Sequence, residues 1–328
     1  MDQIIGILRD MSSTAIAPST AAFAIAAIGL NIHFGYTGLL NMGQAGFMLL
    51  GAYGYAVSVS AGLGFWLSLL IALLVVLVFS FILGIPTLKL RGDYLAIVTI
   101  SAAEIVRMVG RSSIMNPITG GSNGIPNSHY SQPFNDLSFF GDGQTTILWW
   151  TYDNTGVNGW WIRFVAWALA LLLCLLVWLL VRSPWGRVLK GIREDEDAVR
   201  SLGKSAYSFK MQALILGGLI GALAGIIYVL PTSVQPDGLG RSTTFFIWTA
   251  LLLGGAATIF GPILGPILFF VVRIFIQDVT RLVVPPSVMS GQQTEQFSWI
   301  LIGIALMLLV IFRPQGILGN KKELSFNV

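Results

Sequence analysis

Long apolar runs alternate with short polar segments along almost the whole chain. A run of about 20 apolar residues is long enough for a helix to cross a bilayer, and about nine such helices, within a range of eight to ten, fit the pattern. The sequence therefore predicts an all-α polytopic membrane protein with one transmembrane domain over residues 1–328. The predicted spans are residues 11–33, 35–60, 65–84, 94–109, 164–181, 211–230, 243–260, 262–276 and 298–312.

Composition supports the same class of protein. Hydrophobic residues make up 55% of the 328 positions and charged residues 10%, with a mean hydropathy of +0.78. Soluble domains carry about 25% charged residues, so we expect the lipid bilayer to surround this chain. The net charge of +4 comes from basic residues near the ends of spans rather than from one patch. No nucleic-acid partner is expected from that distribution.

Residues that commonly form disulfides, metal sites or catalytic pairs are scarce in this sequence. The only cysteine, Cys174, lies inside a predicted span, and the two histidines, His33 and His129, are far apart. An intramolecular disulfide is therefore excluded, and neither a cysteine nor a histidine metal site is expected. Nucleophile–base pairs of the kind that catalysis needs are not apparent. We predict no catalytic residue, no metal and no cofactor in this chain, and the start of the chain lacks the features of a cleaved signal peptide.

Residues 182–210 form a charge-dense interruption between two apolar runs. A basic loop between two spans is typical of the cytoplasmic side. The pairs Arg193/Asp197 and Glu196/Arg200 have i,i+4 spacing, which favours a short exposed helix. Taken alone, the segment is either a solvated connection or a docking element for a cytoplasmic partner. Its seven basic residues are Arg182, Arg187, Lys190, Arg193, Arg200, Lys204 and Lys210.

Residues 112–160 contain no lysine or arginine, which predicts an external loop. This loop is too short for a catalytic domain and long enough to meet an external partner. Alternation of the spans then puts the N-terminus outside. The basic turn at 89–91 and the basic C-terminus, with Arg313, Lys321 and Lys322, fall inside. The tryptophans predicted to form an interfacial belt beside the loop are Trp149, Trp150, Trp160 and Trp161.

Three features inside the predicted spans are unusual. Residues 35–60 are crowded with small side chains around Asn41 and Gln44, which indicates either a tightly packed helix or a broken or re-entrant segment near 35–50. Glu104 and Arg107 have i,i+3 spacing and form either a structural pair or a substrate contact. A stripe of Gly217, Gly221 and Gly225 predicts close helix packing.

Seven segments occurring in series make the chain resemble the LivM-type inner-membrane permeases of branched-chain amino acid ABC importers, within the wider family of LivH- and LivM-like permeases. The resemblance covers nearly the whole chain in matching order. The segments are GYTGLLNMGQAGFMLLGAY (35–53), LKLRGDYLAIVTISAAEIVRMV (88–109), TGGSNGI (119–125), RSPWGRVLKGIREDEDAVRSLG (182–203), ALAGIIY (222–228), LLLGGAATIFGPILGPI (251–267) and FRPQGILG (312–319).

The resemblance implies a multi-pass transport subunit of the bacterial cytoplasmic membrane that is not itself an enzyme. Its implied partners are a second related permease, two cytoplasmic ABC ATPases that carry ATP and Mg, and an extracytoplasmic substrate-binding protein. Loop 182–210 then corresponds to the ATPase-coupling loop, although Asp197 replaces the glutamate and Val199 the second alanine of the family's E-A-A-x-x-x-G pattern. The implied coupling residues are Arg193, Glu194, Asp195, Glu196, Asp197, Ala198 and Gly203.

The implied substrate is a branched-chain amino acid. Permeases for urea and short amides look like near relatives, and an ion-coupled secondary transporter that uses Glu104 as its proton site is a further alternative. The predicted translocation path comprises Asn41, Gln44, Thr99, Glu104 and Arg107. The predicted surface for the binding protein comprises Thr119, Gly120, Gly121 and Asn123.

Overall fold

The computed structural model describes residues 2–89, 92–141, 143–284, 289–312 and 315–319. Within these residues the regular secondary structure is helical, as predicted, apart from one small β-hairpin. Arg91, Arg313, Lys321 and Lys322, which support the predicted orientation, lie outside the described residues. The elements are α1 (Asp2–Ala15), α2 (Pro18–Asn31), α3 (Gln44–Ser60), α4 (Phe65–Thr87), α5 (Gly92–Arg111), α6 (Asn116–Thr119), α7 (Gln132–Asn135), β1 (Gln144–Ile147), β2 (Trp150–Asp153), α8 (Trp160–Arg182), α9 (Pro184–Glu194), α10 (Glu196–Ser201), α11 (Ala206–Val229), α12 (Arg241–Gly254), α13 (Gly261–Val283) and α14 (Gly291–Phe312).

Five helical segments in the described part of the chain are long and apolar enough to cross a membrane. The predicted spans at α3, α5, α12 and α14 are also helical, but α3 has 17 residues and α12 only 14. At a rise of 1.5 Å per residue, α12 is about 21 Å long, shorter than a bilayer core of about 30 Å. The nine-span count stays a prediction. The five segments are Pro18–Tyr36, Phe65–Thr87, Trp160–Arg182, Ala206–Val229 and Gly261–Val283.

The predicted first span, residues 11–33, is wrong in its boundaries. The helix breaks before Pro18, and Ala17 has an extended backbone, with φ −62° and ψ 146°. Proline disfavours helical geometry in the preceding residue and is well suited to the first turn of a new helix. Helix α1 is therefore a separate amphipathic helix, and α2 begins the central part of the bundle.

Helices α2 and α11 form the centre of the bundle. Nearly every residue of α2 is buried, and α11 packs against α2, α3 and α4. The predicted glycine stripe makes this packing possible: a Cβ atom on Gly217 would lie 2.6 Å from the Gly29 carbonyl oxygen, and one on Gly225 would overlap the carbonyl group of Met48. The glycines thus bring α11 against both α2 and α3 at backbone distance.

The two ends of the bundle differ. One end carries α9 and α10, and we name it the basic end. The turn between α12 and α13 belongs near it, because the Asn31 side chain at the end of α2 accepts from Ala257 N–H (2.8 Å) and donates to the Thr258 carbonyl (2.8 Å). The described C-terminal residues join the same region, where Ile317 and Leu318 donate to the α12 carbonyls of Leu253 and Gly254.

The opposite end is covered by the segment between α5 and α8. This segment contains the β1–β2 hairpin, which the sequence did not predict, and an isolated antiparallel bridge between Ile125 and Val234 ties it to the loop after α11. Tyr130 anchors it further, since its buried hydroxyl donates to the Val229 and Thr232 carbonyls at 2.8 and 3.0 Å. The segment is therefore an ordered cover over the helices.

The close approach of α11 and α3 yields a stability prediction. Replacing Gly225 with valine should force the two helices apart, because the new side chain collides with the Met48 backbone rather than with a flexible side chain. Overpacking of this kind costs about 1–3 kcal/mol. Thermal unfolding of the purified chain should show a lower midpoint for Gly225→Val. Gly303→Val is the matched control, since nothing lies within 4 Å of that helical position; equal midpoints for the two variants would contradict the packing.

Candidate functional site

The candidate coupling element at the basic end consists of two short helices rather than the single helix predicted. Helix α9 ends at Glu194, and Asp195 has an extended backbone, with φ −155° and ψ 103°. The Asp195 carboxylate then caps α10 by accepting from the backbone N–H groups of Asp197 and Ala198, both at 3.0 Å. Aspartate is a favoured N-cap because its oxygen satisfies amide groups that the first turn leaves free. The break separates an anchored helix from an exposed one.

One of the two predicted i,i+4 pairs is present. Arg200 Nη2 lies 2.6 Å from Glu196 Oε1, and Lys210 contacts the other oxygen of the same carboxylate. Arg193 does not pair with Asp197 as predicted, because the break at Asp195 turns α10 away. Arg193 instead contacts Glu194 at 2.6 Å.

Arg193 also connects α9 to the bundle. Its Nη1 donates to the Gly35 carbonyl at 2.5 Å, and its side chain lies over Gly38. On the same side of α9, the Lys190 ammonium lies 5.9 Å from the centroid of the Tyr36 ring. Helix α9 is thereby fixed to the end of α2.

Helix α10 and the turn after it present an exposed surface. Asp197 and Ala198 face solvent, and Leu202 is the most exposed large apolar residue in the loop, at 80%. Gly203 follows with φ +75°, a left-handed conformation that lets the chain turn back into α11. An exposed apolar side chain surrounded by charged residues is typical of a surface that contacts another protein.

The predicted break near residues 35–50 is present. Helix α2 continues as a π-helical turn, Ile32–Tyr36, and regular helix resumes only at Gln44. Thr37, Leu39, Asn41 and Gly43 are buried in the bundle, whereas Gly38 is exposed, so the polar groups of the buried residues need partners there. Two come from neighbouring helices: Thr99 Oγ1 accepts from Met42 N–H at 3.0 Å, and Trp248 Nε1 donates to the Asn41 carbonyl at 3.0 Å.

Asn41 and Gln44 belong to a hydrogen-bonded network around this break. The Asn41 amide nitrogen donates to His33 Nδ1 (3.0 Å) and to Gln44 Oε1 (3.1 Å), while its oxygen accepts from Gly43 N–H (2.8 Å). Since His33 Nδ1 accepts, the proton is on Nε2, which donates to the Leu214 carbonyl at 3.1 Å. These side chains are fully buried. In this conformation the network holds α2, α3 and α11 together.

Glu104 and Arg107 form the predicted pair, and the structure adds three charged residues to it. Arg107 Nη2 lies 2.5 Å from Glu104 Oε1, and Arg107 also contacts Asp237. Asp237 Oδ2 is 3.5 Å from Arg111 Nη1, and Glu104 Oε2 is 3.5 Å from Arg241 Nε. Among the described residues this cluster holds three guanidinium groups and two carboxylates, so one positive charge is in excess.

Glu104 and Arg241 also line an open groove on the outer face of α5. The groove has a volume of about 770 Å³. Its walls are mostly apolar, and the carboxylate and guanidinium are its charged groups. The other lining residues are Ile100, Ser101, Ile105, Met108, Val109, Ser112, Ile114 and Met115.

A narrow crevice leads inward from this groove. It shares Glu104 and Arg241 with the groove and reaches Met42 and Ala45 at the start of α3. The crevice is too narrow to admit a water molecule. The charged cluster and the break are thus neighbours separated by this closed crevice. Thr99, on the same helix as Glu104, bonds to the break at Met42 N–H.

The four residues predicted to face a binding protein lie at the end of α6, which is Thr119, and in the tight turn that follows it. Thr119 is buried and donates to the Gly110 carbonyl at 2.7 Å. Gly120 and Gly121 both have positive φ, at +73° and +56°. Asn123 is the one exposed side chain of this set.

Sequence reasoning missed Asp237 and Arg241. Asp237 lies in the segment between α11 and α12, and Arg241 is the first residue of α12; both are far in sequence from Glu104 and Arg107. A signal was present: the two are opposite charges in an otherwise uncharged stretch, 211–272, and they are complementary to Glu104 and Arg107 in α5.

The buried network generates a prediction. Asn41→Ala should strand the Gly43 N–H and the His33 Nδ1 atom inside the bundle, and each unsatisfied buried group costs about 1–3 kcal/mol. The unfolding midpoint of the purified chain should fall clearly. The exposed Asn123→Ala is the control and should unfold like the unaltered chain. An Asn41→Ala chain as stable as that control would argue against the network as a structural centre.

Comparison with known proteins identifies the family. Residues 13–311 match the family model described as the permease component of branched-chain amino acid transport systems. The chain is 33% identical, over 92% of its length and 69% of the relative, to the high-affinity branched-chain amino acid transport system permease protein LivM of Escherichia coli (strain K12). It is 25% identical, over 91% of both chains, to the probable branched-chain amino acid transport permease protein LivM of Methanocaldococcus jannaschii.

The solved structure of PsaBC from Streptococcus pneumoniae in complex with Fab aligns with this chain over 95% of both chains, at 14% identity and a TM-score of 0.46. A structural likeness at that TM-score supports no inference. The family match instead rests on sequence along nearly the whole chain. It agrees with the resemblance carried by the seven segments between residues 35 and 319. This chain belongs to the family of permease components of branched-chain amino acid transport systems.

Proposed function

We propose that this chain is the permease subunit through which an ATP-binding-cassette importer moves branched-chain amino acids across the cytoplasmic membrane. The observation that carries the proposal is the family match over residues 13–311 together with 33% identity to a LivM permease. The proposed complex adds a second related permease, two cytoplasmic ABC ATPases that bind ATP and Mg, and an extracytoplasmic substrate-binding protein.

Members of this family are inner-membrane transport subunits rather than enzymes, and ATP hydrolysis belongs to partner subunits. The energy of ATP must therefore reach this chain through a contact. The exposed surface of α10 and the following turn, with Ala198 and Leu202, is suited to be that contact, because charged residues surround the exposed Leu202 side chain. We assign loop 182–210 as the cytoplasmic coupling loop within a single transmembrane domain.

The proposed coupling runs through Arg193. A push on α10 by the ATPases reaches α9, and α9 is bonded to the Gly35 carbonyl at the end of α2. The next residues form the break, which is bonded in turn to Thr99 on α5. Rocking of helices around such a connected element would alternate access between the two sides of the membrane.

The proposed path runs from the α5 groove, past Glu104 and Arg107, towards Thr99 and the break. Asn41 and Gln44 are fully occupied by hydrogen bonds in this conformation. They would meet substrate only when the break rearranges during transport. The closed crevice between Arg241 and Met42 is the barrier that such a rearrangement would open.

The proposed external face is residues 112–160 with the neighbouring loop after α11. Asn123 is the exposed residue of the predicted contact set, and the hairpin tip adds exposed apolar surface at Leu148. An ordered cover of this kind offers a fixed platform for a substrate-binding protein.

The coupling assignment makes a prediction about complex stability. Leu202→Asp and Ala198→Arg should each weaken retention of the ATPases by about tenfold or more, because each puts a charge at the centre of the proposed contact. Quantitative mass spectrometry after mild-detergent affinity purification would measure retention. Leu148→Asp is the matched control, since Leu148 is similarly exposed, at 73%, at the opposite end of the bundle. Full retention and ATP-driven uptake with both loop variants would refute the assignment.

The substrate assignment is tested by transport itself. Proteoliposomes with the complete complex, ATP inside the lumen that represents the cytoplasm and binding protein outside should accumulate labelled leucine, isoleucine and valine. Urea and acetamide should neither accumulate nor compete. Accumulation of urea without amino acids would favour the amide-permease alternative. Leucine uptake that needs a proton gradient and no ATP would favour a secondary transporter.

A further inference from the structure

We propose that Glu104 and Arg241 form a binding site for the charged head group of a zwitterionic aliphatic amino acid, with Glu104 taking the ammonium group and Arg241 the carboxylate. The inference rests on the proposed function, because it names the residues that recognise the proposed substrate class. The proposed site consists of the charged pair and the groove wall beside it, and it does not include the rest of the translocation path.

Of the charged contacts that Glu104 makes, the one with Arg241 is the longest. Arg241 Nε lies 3.5 Å from Glu104 Oε2, and the Arg241 side chain is 63% exposed. An exposed pair at this distance is weak and readily exchanged for another partner. Arg241 can therefore swing towards a ligand in the groove without disturbing a buried contact.

Glu104 stays in place when Arg241 moves. Arg107 holds it through Nε, at 3.2 and 3.1 Å from the two carboxylate oxygens, and through Nη2. The Arg107 side chain is only 13% exposed, and Asp237 fixes its other nitrogen. The carboxylate is thus positioned by one arginine, and Oε2, which accepts from Arg107 Nε and faces Arg241, has a second lone pair that can accept from an ammonium group.

Charge balance selects the ligand. A zwitterion placed between Glu104 and Arg241 gives each of them an opposite charge and leaves the net charge of the site unchanged. Charge-assisted hydrogen bonds of this kind are stronger than neutral ones. A neutral amide or urea offers no charge to either residue, and the excess positive charge of the cluster disfavours a simple cation.

The groove wall suits an aliphatic side chain. Ile105, Met108 and Ile114 are exposed along the groove beside the charged pair. They form an apolar surface on which a branched side chain loses contact with water while its head group meets the charges. Charged groups of both signs beside an apolar wall match the two halves of an aliphatic amino acid.

The first test is leucine uptake by the complete complex in proteoliposomes, with the variants Glu104→Gln and Arg241→Gln. Each removes one charge, and the maximal uptake rate should fall on the order of tenfold or more. The apparent KM should change little, because the binding protein sets capture, and the ATP hydrolysed per leucine should rise. Arg241→Lys keeps the charge and should retain more uptake than Arg241→Gln.

Arg281→Gln is the matched control. Arg281 is 55% exposed and makes one long contact, 3.9 Å, with Asp278. Its loss should leave uptake unchanged. If the unaltered complex imports leucine and both glutamine variants import it at the same rate, the site is wrong and the proposed function stands. If the unaltered complex imports no branched-chain amino acid, the proposed function itself is wrong and the site falls with it.

A second test measures occupancy without altering the charged pair. Cys174 is the only cysteine, so Met108→Cys in a Cys174→Ser background gives a single label site in the groove. Saturating leucine should slow its reaction with a charged thiol reagent several-fold, whereas Val283→Cys in the same background, at an exposed position (71%) at the end of α13, should react equally with and without leucine. Absence of protection at position 108, or absence of any reaction there, would overturn the proposal.

Discussion

A broken backbone buried among helices is the constraint on which this structure depends. Residues 37–43 are irregular backbone that is mostly buried in the bundle, and in a bilayer each unsatisfied polar group is costly. Three side chains on two neighbouring helices, α5 and α12, supply partners at the break and at the start of α3: Thr99 to Met42 N–H, Thr244 to Ala45 N–H and Trp248 to the Asn41 carbonyl. The break is therefore also a junction, since α5 and α12 cannot move far without losing those bonds.

The junction joins the two ends of the molecule. On the basic end, Arg193 bonds α9 to the Gly35 carbonyl just before the break. Towards the groove, Thr99 bonds to the break and lies five residues before Glu104 on the same helix, α5. A movement of the candidate coupling element and a change in the groove would thus act on one connected set of residues. Close packing at Gly217 and Gly225 makes the surrounding helices stiff enough to transmit such a movement.

The groove on the outer face of α5 contains polar and charged groups that are rare on a lipid-facing helix surface. Ser101, Glu104 and Arg241 line an open surface among apolar residues. Exposed to acyl chains, such groups would be costly. The second permease that we propose as a partner would enclose the groove and convert it into a passage if it packed against this face. The charge cluster then serves both as the link between α5 and the segment before α12 and as a polar lining.

Local sequence determined much of this protein: apolar runs predict helices because their side chains can face lipid, and i,i+4 and i,i+3 spacing predicts the Glu196–Arg200 and Glu104–Arg107 pairs. The glycine stripe likewise predicts close packing. Tertiary structure decided what depends on distant residues. Asp237 and Arg241 reach Glu104 only because the segment after α11 returns to α5. The partners of the buried break, and the redirection of Arg193 from Asp197 to Gly35, follow from packing that sequence spacing does not encode.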